Sequence, residues 1–296
     1  MGGNLSRPYE GEGETPYPGL ADIPESCVAR IFQHLGPVDI CKLAGLNWAF
    51  KGASSCDYVW EQKLPICYQE MLSKLFISEP HFLSKKQIYA HLCHPISFDD
   101  ATKEVWLDRA TGGVCLSISA RAMAITGIDD HRYWRWIPYD ESRFHEAAYL
   151  QQHWWFEVDG VVKFQLPAGE YSLSFRLRLG RPSRRLGRRI YVFDHIHGWD
   201  LKPVRFSLST SDGQHAIREC YLEEPGEIEG NGIVSDARGK WTDYYVGEFE
   251  VKNESKVTEV KFSMTQIDCT HSKGGLCLDL VSIVPSKLRK ETMKDL

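Results

Sequence analysis

Residues 20–60 read LADIPESCVARIFQHLGPVDICKLAGLNWAFKGASSCDYVW, and this stretch constrains the fold more than any other. Pro24 suits the first turn of a helix, where its missing N–H costs nothing. Cys27, Val28, Ile31, Phe32 and Leu35 then recur at helical spacing and make one apolar stripe. Gly36 and Pro37 are expected to end that helix, the glycine as a left-handed cap and the proline as a stop. A second short helix follows, with Val38, Ile40, Leu43 and Leu46 apolar. Trp48 and Phe50 open a third, and Tyr58, Val59 and Trp60 lead into a fourth segment that ends near Pro65. About forty residues is small for an independent core, so a unit this short with this much apolar surface calls for a partner.

The period changes to two from about residue 104. Val114, Leu116 and Ile118 alternate with Cys115, Ser117 and Ser119, and Tyr171 to Leu179 alternates with serines and arginines. Val204, Phe206 and Leu208 repeat the pattern, and Leu276, Leu278 and Leu280 close it. Val158-Asp159-Gly160-Val161 places Asp-Gly between apolar runs, the strongest short-range hairpin signal, and a second Asp-Gly stands at 212–213. Many short strands with turns between them predict a β-sandwich or jelly roll. Between the two regions, 66–103 reads as a stiff helical connector, with Tyr68, Met71, Leu72 and Leu75 on one stripe and Ile88, Tyr89 and Leu92 on another. Residues 1–19, dense in Gly, Glu and Pro, read as a disordered leader, and 286–296 as a tail.

The chain of 296 residues is 43% hydrophobic and 25% charged, ordinary for a globular protein and long enough for two domains. A net charge of −5 gives no global pull toward nucleic acid or anionic membrane. No apolar run of about 18 residues is present, so no transmembrane helix is expected. The N-terminus lacks a signal-peptide core, and the nine cysteines contain no C-x-x-C pair. Reduced thiols in the cytoplasm and/or nucleus follow. Met1-Gly2-Gly3-Asn4-Leu5-Ser6 fits the N-myristoylation template with Gly2 as acceptor; one acyl chain would give weak, reversible membrane association.

Chemistry-bearing motifs are sparse. Arg176, Arg178, Arg181, Arg184, Arg185, Arg188 and Arg189 could serve nuclear import or anion binding, but read better as a solvated strand edge and loop. His195 and His197 share one face of an extended segment but lack further ligands at metal-site spacing, so no metal is expected. A hydrolase built on Asp194, His195 and His197 is the enzymatic reading. No G-x-S-x-G, Walker loop or H-E-x-x-H supports it, and neither catalytic residues nor a cofactor are expected.

The motifs resemble two known modules. Ile23-Pro24-Glu25 with Leu20 just upstream, the stripe Val28, Ile31, Phe32 and Leu35, then Leu43 and Trp60, resemble an F-box over about 16–65. In the second region the blocks are Ser119-Ala120-Arg121-Ala122-Met123-Ala124-Ile125-Thr126, Arg132-Tyr133-Trp134-Arg135-Trp136, and Trp154 with Glu157, Val158 and Gly160. They continue with Gly239-Lys240-Trp241, Val246-Gly247-Glu248-Phe249, Lys273-Gly274-Gly275-Leu276 and Val281-Ser282-Ile283-Val284-Pro285. Residues 104–285 are thereby similar to the phloem protein 2 lectin domain, known also from a tobacco agglutinin that binds N-acetylglucosamine oligomers. The whole chain resembles plant F-box proteins of the phloem protein 2 type A group.

That resemblance implies an α+β chain in two domains: an N-terminal all-α F-box over 20–65 and a C-terminal, jelly-roll-like β-sandwich lectin domain over 104–285. It implies a substrate-recognition subunit of an SCF-type ubiquitin ligase. A Skp-type adaptor and cullin would be engaged through Leu20, Ile23, Pro24, Ile31 and Leu43, and a protein or glycoprotein target through the lectin domain. The alternative is a stand-alone carbohydrate-binding protein. A sugar site needs an exposed aromatic beside polar acceptors, and the family's tryptophan and glutamate positions fall on Trp134, Glu259 and Gln266, with Asp130 in support. A family tryptophan after the Ile-Thr pair is replaced by Gly127, and one of two family glutamates by Gln266. Trp134 and Trp136, two apart, suit either a sugar platform or the sandwich core.

Overall fold

The computed structural model describes residues 19–74, 83–185, 188–192, 195–223 and 239–292. Gly2 and the leader around it lie outside them. The chain divides into two compact units, Met1–Lys63 and Leu64–Leu296. Helices come first and strands dominate the rest, an α+β arrangement.

The first unit holds α1 (Glu25–Phe32), α2 (Pro37–Leu43), α3 (Trp48–Ala53) and α4 (Asp57–Glu61). Val28 and Phe32, four apart on α1, are buried, as are Ile40, Phe50, Ala53, Val59 and Trp60, and α1 packs on α3 and α4. The Phe32 and Phe50 rings meet edge-on at 5.7 Å, a geometry suited to their quadrupoles. Asn47 caps α3 by accepting from the Phe50 N–H at 2.9 Å, and the Trp60 indole donates to the Ser54 carbonyl at 2.8 Å. The expected stop at Gly36 and Pro37 is corrected. Helix α1 already ends at Phe32, Gly36 is extended at φ −69°, and Pro37 opens α2, where a missing N–H is harmless.

The second unit begins with α5 (Tyr68–Lys74) and α6 (Lys85–Leu92). Its strands follow as β1 (Ile96–Phe98), β2 (Lys103–Leu107), β3 (Val114–Ser119), β4 (Ala124–Ile125), β5 (Trp134–Pro138) and β6 (Glu146–Leu150). Then come β7 (Phe156–Phe164), β8 (Gly169–Leu179), β9 (Arg181–Arg185), β10 (Arg188–Val192), β11 (Val204–Thr210) and β12 (His215–Cys220). The last are β13 (Thr242–Val251), β14 (Thr258–Gln266) and β15 (Leu276–Pro285), followed by helix α7 (Ser286–Thr292).

The larger sheet runs β1-β2-β3-β15-β6-β5, with β8 also on β15 and β13 on β8; a second runs β12-β11-β14-β7-β4, and β9 and β10 pair as a separate two-stranded sheet. The sheets pack face to face. Phe175 of β8 meets Phe206 of β11 at 5.5 Å and Phe262 of β14 at 5.7 Å, the centre of an apolar core between antiparallel sheets.

Three sequence expectations change here. Segment 66–103 is no free-standing connector: Met71, Ile88, Tyr89 and Leu92 are buried, α5 packs on β1 and α6 on β2. Burial there pushes the Cys67 thiol up to about 12. Asp159-Gly160 is no turn. It lies inside β7, whose pairing with β14 continues unbroken from Phe156 to Phe164. Gly160 stands opposite Phe262, and a Cβ there would come within 2.2 Å of the phenyl ring; the glycine is a close-approach site, as glycines in strand interiors often are. The turn signal at 212–213 does join β11 to β12. Finally, Arg176 and Arg178 are not on a solvated edge, because β8 is paired on both sides. Arg176 pairs with Asp279 at 3.3 Å, and Arg178 is buried with its guanidinium between the Tyr139 and Trp241 rings. The side chains of Asp194 and of the arginines from 181 to 189 lie outside the described residues.

Candidate functional site

Strand β7 separates two surfaces. Phe156, Val158, Val162 and Phe164 point into the core, while Glu157, Asp159, Val161 and Lys163 point out, the period-two division of a sheet covered on one side. On the outer face a cavity of about 430 Å³ is lined by Ala122, Ala124, Asp159, Ser207, Lys261 and Ser263, among others. Register explains its shape. Ala124, Asp159, Ser263 and Ser207 form one cross-strand row, so small side chains flank a single carboxylate. The Ser207 and Ser263 hydroxyls are 2.7 Å apart. Partial burial, with Glu157 nearby, raises the Asp159 carboxyl above its ordinary range.

The block from Ser119 to Thr126 gains a physical meaning. Met123 and Ile125 are buried, while Ala122 and Ala124 face the cavity and leave it open. Arg121 holds Glu146 with two hydrogen bonds, at 2.6 and 2.8 Å, and covers the Trp136 ring at 3.7 Å.

Beyond the N-terminal end of β7 stand Trp154 and Trp155, both exposed. The Trp155 indole donates to Glu157 Oε2 at 2.9 Å, and the Thr126 backbone N–H donates to the Glu157 carbonyl at 3.0 Å. The Trp155 backbone N–H donates to His153 Nδ1 at 2.8 Å; burial lowers the His153 pKa and keeps that nitrogen an acceptor. His153 and Lys273 exchange two backbone hydrogen bonds, each 2.8 Å. The Lys273 side chain is buried, and its ammonium donates to the carbonyls of Trp154 and Asp268 at 2.5 and 2.7 Å. One ammonium thus pins two loops, and the exposed rings rest on a firm base.

The residues expected to bind sugar do not converge. Trp134 is 1% exposed, stacks on Phe156 and donates to the Thr126 carbonyl at 3.1 Å. A covered ring offers no face, so Trp134 is corrected to a core residue. Gln266 is also buried, at the inward side of β14, and donates to the Lys202 carbonyl at 2.5 Å; its supporting role is corrected for the same reason. Asp130 is clasped by Arg132 at 2.6 Å, which with its backbone N–H holds the carboxyl down at about 2. Glu259 does lie on the outer face, between Lys163 at 2.7 Å and Lys261 at 3.4 Å, and is lowered chiefly by its hydrogen bond to Lys163. Seven residues of β14, roughly 23 Å, separate it from Gln266. Gly127 has φ +78°, and its missing Cβ faces His153 Nε2 at 3.1 Å and Tyr133 at 3.3 Å, so a tryptophan there would be strained. His195 and His197 do not make a metal pair. His197 Nδ1 lies 2.8 Å from the His195 carbonyl and Nε2 3.1 Å from the Ser272 hydroxyl, and no metal-binding group occurs among the described residues.

The helical unit carries a second candidate surface. Leu20 is 62%, Ile31 49%, Leu46 55% and Trp48 83% exposed, while Pro24 is exposed and Ile23 and Leu43 are half-buried. The sequence stripe of α1 splits in two, with Val28 and Phe32 inside and Cys27 and Ile31 outside.

Comparison with known proteins places these surfaces in a family. The model of the family "Phloem protein 2" matches residues 113–285. "F-box protein PP2-A15" of Arabidopsis thaliana is 60% identical over 286 residues, covering 96% of this chain and 95% of the relative. This chain belongs to the F-box proteins of the phloem protein 2 type A group. Within that group, Arabidopsis "F-box protein PP2-A13" is 54% identical, covering 93% of this chain and 91% of its own length. "F-box protein PP2-A11" is 50% identical, with 98% and 96% covered. The phloem protein 2 match takes in β3 to β15 and contains both Trp134 and Trp155. In the sequence Trp154 and Glu157 stand only as family landmarks; the available signal is that Glu157 and Asp159, two apart, share one face of β7, with Trp155 just before it. Among the described residues no helix is long and apolar enough to cross a membrane.

Proposed function

We propose that this chain is the target-receiving subunit of an SCF-type ubiquitin ligase, with residues 20–65 as its F-box. Leu20, Ile23, Pro24, Ile31 and Leu43 dock on a Skp-type adaptor, through which a cullin is joined. The sandwich, a lectin-type jelly roll, receives a protein or glycoprotein target. A recruited conjugating enzyme performs ubiquitin transfer, and this chain contributes proximity without a catalytic group of its own.

One observation carries the reading: the helical unit leaves Leu20, Ile31, Leu46 and Trp48 in water around a core that is already complete. So many large exposed apolar side chains on a unit this small exceed what its own core can use and suit an interaction surface. The family relatives, named F-box proteins, support the same assignment.

The test is co-purification of the full chain with a Skp-type adaptor. Replacing Ile23 and Pro24 together by alanine, or Ile31→Asp alone, abolishes capture while the melting curve stays native. Undiminished capture by both variants overturns the docking assignment. A native chain that binds glycan as a monomer and ignores the adaptor instead identifies a stand-alone carbohydrate-binding protein.

A further inference from the structure

We infer that the open edge of β7, at Val161 and Lys163, receives an extended peptide segment of the target as one further strand of the sheet. The inference rests on the reading of the sandwich as the target-receiving unit and adds the form in which a protein target is held.

Register fixes which way the backbone of β7 points. The Thr126 N–H donates to the Glu157 carbonyl, and Ala124 stands opposite Asp159. In an antiparallel ladder the backbone groups of alternate residues face the same neighbour. The odd-numbered residues of β7 therefore turn their N–H and C=O groups toward β4, and the even-numbered ones toward β14. Strand β4 is short and pairs only with Val158 and Asp159. One step further, where Ala122 would stand opposite Val161, the chain is instead coiled into a single 3-10 turn, Ala120–Ala122. The N–H and C=O groups of Val161 and Lys163 consequently have no partner among the described residues. The two residues stand about 7 Å apart, the repeat of a strand. Both are exposed, and the cavity that Ala122, Ala124 and Val161 help to line leaves room alongside.

The other edges of the two larger sheets are blunted. Strand β1 spans only Ile96–Phe98, and β5 ends in Pro138, which has no N–H. The edge of β13 is bulged between Tyr245 and Gly247 and covered by side chains. Gln214 bonds both backbone groups of Glu250, at 2.7 and 2.8 Å, and Arg218 reaches the Tyr245 carbonyl at 3.2 Å. Strand β12 sets His215, Arg218 and Glu219 along its length. By contrast, β7 has no proline and no bulge, and its inward side chains at this end, Val162 and Phe164, are apolar. Lys163 is drawn across the sheet to Glu259 at 2.7 Å. Proline, bulges and charge guard an edge against unwanted pairing, so an edge without them suits a wanted one.

The chemistry selects the occupant. Backbone donors and acceptors at strand spacing are matched by an extended peptide, which adds through main-chain hydrogen bonds. Lys163 and Lys261 share the one carboxylate of Glu259, so this corner is net positive and an acidic residue suits the place opposite Lys163. Val161, apolar and exposed, suits a β-branched residue opposite it. The residue between them turns inward, toward the rim of the core where Phe98 is half-buried, 5.9 Å from Phe164. The occupant is thus a strand with an acidic, an apolar and a β-branched residue in succession.

The probe is an end-blocked peptide, Ser-Gly-Glu-Ile-Val-Ser-Gly, titrated to about 1 mM into the isotope-labelled full chain, with amide exchange read by NMR. In the free chain the amides of Val161 and Lys163 exchange openly, while those of Val162 and Phe164 are protected by β14. The peptide protects Val161 and Lys163, and N-methylation of its Glu and Val nitrogens abolishes that protection. Changing its Glu to Lys weakens binding about twofold to fivefold. Val161→Pro, whose lost N–H serves no bond in the folded chain, melts like the native protein and weakens binding about tenfold or more. Protection of Val161 and Lys163 in the free chain overturns the inference; if that protection grows with protein concentration, a second copy of the chain holds the edge. The inference is equally overturned if the peptide leaves both amides open at about 1 mM, or if the N-methylated peptide binds as well as the plain one. Adaptor capture, measured on the same preparations, reads the ligase assignment separately: capture without peptide protection sinks only the edge, and protection without capture sinks only the ligase.

Discussion

The two units expose apolar residues in opposite ways. The helical unit scatters leucine, isoleucine and tryptophan over its surface around a small core of Val28, Phe32, Ile40, Phe50 and Trp60. The sandwich buries most of its long apolar side chains between two sheets; it leaves Leu201, Ile217, Val257 and Ile267 exposed, and shows a tryptophan pair at one loop, where the Trp155 indole is tied to Glu157. Exposed apolar side chains would suit a broad protein contact, since burying apolar area favours association. A firmly held aromatic next to polar groups serves a ligand that is itself half polar.

That contrast can be tested by substitution. Phe32→Ala removes the centre of the helical core and costs about 3–5 kcal/mol; scanning calorimetry should show the loss in the helical transition while the sandwich transition stays in place. A common shift of both would break the division into two units. Trp134→Phe leaves a cavity beside Phe156 and deletes the bond to the Thr126 carbonyl, costing about 1–3 kcal/mol of sandwich stability, measured by denaturant titration. Stability within error of native would mean that Trp134 is not the core residue described.

A milder effect follows from pH. The folded pKa of His153 lies below its ordinary 6.5, so the unfolded chain takes up the proton first and stability falls with decreasing pH. The contribution is complete above about 6.5 and is lost as pH drops through the lower folded value. Protonation removes the acceptor for the Trp155 N–H, so the protection of the Trp155 amide relative to its intrinsic exchange rate should fall between pH 7.5 and 5, ahead of protection in β14. An unchanged protection factor across that range would separate His153 from the loop. Smallest of all, Trp48→Ala should change stability by no more than about 0.5 kcal/mol, because an 83% exposed ring has little packing to lose. A larger loss would place Trp48 in the helical core and erase the comparison.

Much of this architecture was legible in the chain. Helical spacing located α1, and the alternation from Tyr171 to Leu179 located β8. The distribution of apolar side chains between core and surface was not legible, because Val28 and Ile31 look alike until their neighbours are known. Asp159-Gly160 misled for a related reason. Its turn signal is local, whereas the ring that demands a glycine belongs to Phe262, about a hundred residues away. The site suffered most. A tryptophan in a family position and a tryptophan before a strand are equal in sequence, and only the packed structure shows Trp134 stacked on Phe156 inside and Trp155 exposed against Glu157.

Strand β15 pairs with β3, β6 and β8, so the last strand of the chain is the hub of its sheet. The order of synthesis then matters. The helical core is complete once residue 63 or so has cleared the ribosome, but the large sheet stays open until Pro285 emerges. A nascent chain completes its helical core well before it has a sandwich, and any premature stop upstream of Leu276 leaves a polypeptide with the helical unit folded and the large sheet without its central strand.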